Sequence, residues 1–152
     1  MATDTTLAIT PAESGDEADA VALWHACGLV VSYNDPGADF RFAVAGACSD
    51  VLLGRDASGR AVGSVMVGHD GHRGWLYYVA ADPDLRGRGI GRSMVRAAEA
   101  WLGARGVVKV QLMVRPTNAQ AVAFYARLGF EDTPRTIMAR WLAPTPAGEP
   151  PA

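Results

Sequence analysis

The chain has 152 residues, 49% hydrophobic and 20% charged, with a formal net charge of −2. That length builds one domain around one core, and so balanced a charge excludes a chain drawn to nucleic acid or to a membrane surface by its overall field. The two cysteines, Cys27 and Cys48, lack metal-ligand spacing and read as small buried apolar residues, so neither a disulfide framework nor a metal site is expected.

The basic residues are 13 Arg and one Lys, Lys109. No signal peptide opens the chain and no apolar run spans a bilayer, so a cytoplasmic protein is the expectation.

In chain order, residues 1–6 read as a flexible start and 7–10 as a short strand ended by Pro11. Residues 16–27 have apolar positions at Ala20, Leu23, Trp24 and Cys27, which is helical spacing, with Ser14 or Asp16 as the cap and Gly28 as the stop. A loop at 32–37 contains Asn34-Asp35-Pro36, and a weakly amphipathic helix is expected at 38–47. Residues 51–55 and 61–68 form a hairpin about the turn Asp56-Ala57-Ser58-Gly59-Arg60. Asp70-Gly71-His72-Arg73-Gly74 turns the chain into a strand at 75–80, which Asp82-Pro83 stops.

The main helix is expected at 90–105, burying Ile90, Met94, Ala98 and Trp101 or Leu102 and ended by Gly106. Further elements are a strand at 109–114, a helix at 118–128 capped by Asn118 and closed by Gly129, and a final strand at 136–142. Pro and Ala dominate 143–152, which reads as disordered. This order describes an α/β domain at 7–142: a mixed sheet with helices on both faces.

The most informative stretch is Arg86-Gly87-Arg88-Gly89-Ile90-Gly91, a glycine-rich loop between a strand and a helix. Such a junction aims unpaired N–H groups and the positive end of a helix dipole at one point, which suits a phosphate. A P-loop requires Lys and then Ser or Thr after its last glycine, whereas Gly91 is followed by Arg92 and Ser93. A dinucleotide fingerprint requires a third glycine where Arg92 stands and an acidic residue after the next strand, where Arg115-Pro116-Thr117 stands. A nicotinamide cofactor is therefore not expected.

Arg86-x-x-Gly89-x-Gly91 resembles the pyrophosphate-binding signature of the GNAT superfamily of acetyl-CoA-dependent N-acetyltransferases. A second match lies one strand further on: Asn118-x-x-Ala121-x-x-Phe124-Tyr125-x-x-x-Gly129-Phe130. Together the two motifs span about residues 75 to 130. The resemblance implies the GNAT fold, in which two parallel strands splay to admit the cofactor. It also implies transfer of an acetyl group from acetyl-CoA to an amine through a tetrahedral intermediate.

The resemblance further implies that the amides of Arg86, Gly87, Arg88, Gly89, Ile90 and Gly91 hold the CoA pyrophosphate, with Arg86 or Arg88 adding charge. The pantetheine arm would pair with the preceding strand, an amide at Val79 or Ala80 would face the thioester carbonyl, and Leu85 would continue the backbone contact. Tyr125 matches the general acid that protonates the thiolate, a reading its place in the motif favours over that of an aromatic core residue. Asn118 matches a CoA-contacting position and is also a helix cap.

Many relatives carry a Glu on the strand before the loop, but Trp75-Leu76-Tyr77-Tyr78-Val79-Ala80 has no carboxylate. Asp70 and His72 are the candidate bases, acting through water, with Asp35 and Tyr33 as further candidates. Turn chemistry explains Asp70-Gly71-His72 equally well. Tyr33, Asn34, Asp35, Asp70 and Tyr77 are expected around the acceptor, a small-molecule amine or a protein amino terminus. The expected protein is a monomer or homodimer. The competing functional readings are a CoA-binding module or sensor that has lost catalysis and a Rossmann-type nucleotide binder.

Overall fold

The computed structural model describes residues 3–148. Contacts divide the chain into two compact units, Met1–Leu112 and Met113–Ala152, a boundary inside the span expected as one domain. Of the two ends expected to be flexible, residues 1–2 and 149–152 lie outside the described residues.

The first unit holds a five-stranded sheet in the order β1 to β5: Ala8–Pro11, Ser49–Arg55, Ala61–His69, Gly74–Ala81 and Val110–Gln111. Strands β1 to β4 pair with one another antiparallel in succession, and β5 is parallel to β4. Helices α1 (Glu17–Ala26) and α2 (Pro36–Ala45) cover one face, where Ala20, Leu23, Trp24, Phe40 and Ala43 pack with Val51, Leu53 and Ala80.

Helix α3 (Ile90–Gly103) covers the other face and buries Ile90, Met94, Val95, Ala98 and Leu102. It lies close to the strands. A Cβ on Gly63 would fall 2.7 Å from Ile90 Cγ2, and one on Gly74 would fall 2.5 Å from Leu102 Cδ1. Trp101 remains partly exposed, with the Arg105 guanidinium 3.5 Å above its ring.

Several expectations are corrected. Asp16 occupies the N-cap position of α1, but its carboxylate turns back to accept from Glu13 N and to pair with Arg55. Helix α2 starts at Pro36 because the Asp35 carboxylate accepts from Ala38 N at 3.0 Å and proline suits a first helical turn. Cys27 is half-buried and its thiol donates to Ala81 O at 3.2 Å, whereas Cys48 is exposed. Near the chain start, Asp4 pairs with Arg92 and Thr5 N donates to Arg88 O, which ties these residues to the glycine loop.

In the second unit, α4 (Ala119–Arg127) is capped by Asn118, whose Oδ1 accepts from Ala121 N at 3.1 Å. It closes at Gly129, with Phe130 N donating to Tyr125 O at 3.0 Å. The strand expected at 136–142 is not formed. A strand exists only through its ladder, and this segment has none; Ile137, Met138 and Leu142 are exposed. Among the described residues no helix is long and apolar enough to cross a membrane.

Candidate functional site

Strand β4 is irregular at its centre. Its pairing with β3 runs from His69–Gly74 to Met66–Tyr77, then resumes at Ser64–Ala80, so Tyr78 and Val79 together oppose Val65. This is a β-bulge. Tyr78 has φ of +48° and is the one non-glycine residue at positive φ among the described residues. A tyrosine there is strained by roughly 1–3 kcal/mol, a conformation that persists only when its surroundings enforce it.

Three contacts enforce it. The Tyr78 ring stacks on Trp24 with centroids 4.0 Å apart and planes 13° from parallel. Its hydroxyl donates to Asp39 Oδ2 at 2.7 Å. Its carbonyl accepts from Ser64 Oγ at 3.0 Å, and Ser64 Oγ in turn accepts from Trp24 Nε1 at 2.8 Å. Burial, then Asp39 and Asp35, push the Tyr78 phenol well above the usual range, so it stays protonated.

Strand β5 meets β4 only at Gly74–Val110 and Trp75–Gln111, so β4 beyond Trp75 has no β5 neighbour in register. Val79 is half-buried on that stretch and the Ala80 side chain is buried among the α1 and α2 core. The strand ends at Ala81, where Asp82 caps a short turn of Pro83, Asp84 and Leu85: its carboxylate accepts from Asp84 N and pairs with Arg60 Nη1 at 3.0 Å.

Arg86, Gly87 and Arg88 then form an exposed loop. Gly87 and Gly89 have φ of +76° and +72°. Gly89 is the N-cap of α3 and offers no side chain to the first-turn amides, which therefore remain for an outside acceptor. The space a Cβ on Gly87 would enter is open. Ile90 is buried under the sheet, so the loop opens from an anchored helix end. A diphosphate fits these donors.

The expected acceptor residues divide between two places. Tyr33, Asn34 and Asp35 lie before α2, where Asn34 N donates to Val31 O at 3.1 Å. Asp35 acts electrostatically on Tyr78, which links this loop to β4. Tyr77 is 45% exposed beside the bulge, and burial raises its phenol pKa.

Asp70 and His72 lie in the turn that enters β4. Asp70 Oδ1 accepts from His72 N at 2.9 Å and Arg73 N at 2.7 Å, and Oδ2 accepts from Trp75 Nε1 at 3.2 Å. The Arg73 amide first, with those of His72 and the Trp75 indole, holds the Asp70 carboxyl down to about 2. These bonds favour the charged form of Asp70 and weaken it as a proton acceptor. A carboxylate so engaged is negatively charged at neutral pH. His72 is exposed, with its ring Nδ1 3.5 Å from Arg73 Nη1.

In the second unit Tyr125 is half-buried, edge-on to Phe124 and Phe130 at 4.9 and 5.5 Å. Burial pushes its phenol up to about 12. The residue is thus part of an aromatic cluster, and its phenol is protonated at neutral pH.

Sequence reasoning missed Ser64, Trp24, Tyr78 and Asp39 as a connected set. The available signal was slight: an apolar-flanked serine in β3 and a Tyr-Tyr pair in β4. Among the described residues no cluster of three His, Cys, Asp or Glu side chains is placed to hold a metal ion.

The model of the acetyltransferase (GNAT) family matches residues 17–130. An acetyltransferase from Sodalis glossinidius is 39% identical over 116 residues, covering 76% of this chain and 81% of that protein. One from Pectobacterium atrosepticum is 41% identical over 111 residues, covering 73% and 78%. Among solved structures, aminoglycoside N-acetyltransferase AAC(6')-Iy in complex with CoA superimposes with a TM-score of 0.77 at 17% identity, covering 94% of this chain and 99% of that one. A putative acetyltransferase from Agrobacterium tumefaciens gives 0.73 at 20% identity, covering 88% and 99%.

Proposed function

Because the chain is a member of the acetyltransferase (GNAT) family, we propose that it transfers an acetyl group from acetyl-CoA to a primary amine. The observation that carries this reading is the order along one strand. A strained bulge at Tyr78 is followed within ten residues by a loop whose positive-φ glycines open α3. The first feature turns a backbone amide out of its ladder, and the second offers unpaired amides to a diphosphate.

In this reading the amides from Arg86 to Gly91 hold the pyrophosphate, with Leu85 continuing the backbone contact. The pantetheine arm lies along β4 beyond Trp75. The amine attacks the thioester carbon and the carbonyl oxygen becomes an oxyanion, which the Val79 amide, with Ala80 beside it, stabilises. The C–S bond then breaks, and Tyr125 gives its proton to the thiolate. Asn118 serves as cap and as a cofactor contact.

Asp70 supplies negative charge toward the acceptor ammonium, and the proton leaves through water or His72. Tyr33, Asn34, Asp35 and Tyr77 border the acceptor, which is a small amine or a protein amino terminus. The protein acts as a monomer or homodimer in the cytoplasm.

A CoA-binding sensor is the second reading, favoured by the absence of a carboxylate on β4. Thiol release from acetyl-CoA, followed across a panel of small amines and peptides, tests both. Turnover on at least one amine supports acetyl transfer. Tight CoA binding without turnover on any of them supports the sensor.

A further inference from the structure

We propose that Ser64 is a positioning residue for acetyl transfer, setting the direction of the oxyanion-binding amide through the Tyr78 carbonyl; the proposal rests on the acetyl-transfer reading above. Ser64 is fully buried in β3 and touches no solvent, so it acts only through its neighbours. Its hydroxyl lies between Trp24 Nε1 at 2.8 Å and Tyr78 O at 3.0 Å. An indole N–H only donates. The single Ser64 proton is therefore left for the Tyr78 carbonyl, and the chain of bonds runs in one direction: Trp24 to Ser64 to Tyr78.

The peptide from Tyr78 to Val79 is planar and trans, so its N–H points opposite to its C=O. Ser64 holds that carbonyl toward β3. The Val79 N–H is thereby directed away from β3, to the flank of β4 that has no β5 neighbour beyond Trp75. A bulge removes the ladder bonds that would otherwise fix this peptide. The Ser64 hydroxyl replaces them at the one described non-glycine residue held at positive φ. Satisfying the Trp24 N–H alone would need only an acceptor at this position; the second bond is what the reaction uses.

The test compares wild type, Ser64→Ala and Ser64→Thr in two measurements. In steady-state kinetics, Ser64→Ala lowers kcat by about 10- to 100-fold, short of the full loss of an oxyanion donor, while KM for acetyl-CoA stays within about threefold. Ser64→Thr, which keeps the hydroxyl, recovers most of the rate. A purely structural serine would alter stability and leave this split and this rescue unseen.

The second measurement needs no acceptor. In 15N-labelled wild type the Val79 amide proton moves downfield when acetyl-CoA replaces CoA, because only acetyl-CoA carries the thioester carbonyl, and in Ser64→Ala most of that difference is lost. Should Ser64→Ala fail to fold, Ser64→Cys, a weaker donor of similar shape, gives the same changes in smaller measure. Unchanged kcat and an unchanged Val79 difference in the folded variant would overturn the proposal while acetyl transfer stands. A wild type that binds no acetyl-CoA in calorimetry overturns the functional reading and this proposal with it.

Discussion

The Tyr78 hydroxyl donates to Asp39 Oδ2 at 2.7 Å, joining the strained residue of β4 to the first turn of α2. The bond connects the bulge to the loop of Tyr33, Asn34 and Asp35, since α2 begins where that loop ends. Removing it with Tyr78→Phe keeps the Trp24 stack and leaves Asp39 to water. A loss of about 1.5 kcal/mol is expected, at the low end for a bond to a charged group because Asp39 is partly exposed; urea unfolding at neutral pH measures it.

The same residue predicts a pH effect. Burial raises the phenol pKa of Tyr78, Tyr125 and Tyr77, so the folded chain holds protons that the unfolded chain releases near pH 10. The stability linked to these groups is fully present below about pH 10 and falls as pH rises through the folded values, which reach about 12 for Tyr125. Denaturation midpoints should therefore drop between about pH 10 and 12, and less in Tyr78→Phe than in wild type.

At the loop, Gly87 and Gly89 give opposite expectations for one substitution. Both have positive φ, but a Cβ on Gly89 would meet Arg92 Nη2 at 2.8 Å and Asp4 Oδ1 at 3.1 Å, whereas one on Gly87 meets open space. Asparagine tolerates the left-handed region. Gly87→Asn should leave CoA affinity within about threefold, and Gly89→Asn should weaken it by about tenfold or more, because its side chain displaces the Arg92–Asp4 pair and offers its own oxygen to the first-turn amides of α3. Calorimetric titration with CoA reads both.

Asp70 separates charge from base. Its carboxylate contributes to stability above the unfolded pKa near 4, and the contribution is lost as pH falls through about 2. Asp70→Asn should remove that acid-side dependence and raise KM for a cationic acceptor. The acid limb of the pH–rate profile should keep its midpoint. A limb that moves with the substitution would make Asp70 the proton acceptor.

Tyr125→Phe keeps the ring between Phe124 and Phe130 and removes the phenolic proton. Turnover should fall by about 100-fold, with CoA affinity nearly unchanged. With the phenol at about 12, wild-type activity should lose no acid function below about pH 10. A Tyr125→Phe enzyme of wild-type kcat would remove the residue from the mechanism.

The glycine loop was legible because its chemistry lies in spacing: alternating glycines after an apolar strand require a helix opening, and α3 begins at Ile90. The bulge was not legible. Leu76 and Ala80 would share a face in a regular strand, yet Leu76 pairs with Val67 and Ala80 with Ser64, on opposite faces of the sheet. Alternation cannot reveal an inserted residue, and a tyrosine at positive φ contradicts local preference, so only tertiary contacts with Trp24, Ser64 and Asp39 account for it. The segment at 136–142 failed in the other direction. Its apolar residues suit a strand, but pairing depends on a partner that sequence alone does not supply.

Amide mapping tests the central claim most directly: 15N-labelled protein titrated with coenzyme A and followed residue by residue. The largest shifts are predicted at Gly87, Gly89, Ile90 and Gly91, with smaller ones along β4 from Val79 to Ala81. Saturable binding that leaves the 86–91 amides unmoved, or the absence of any binding, would contradict it.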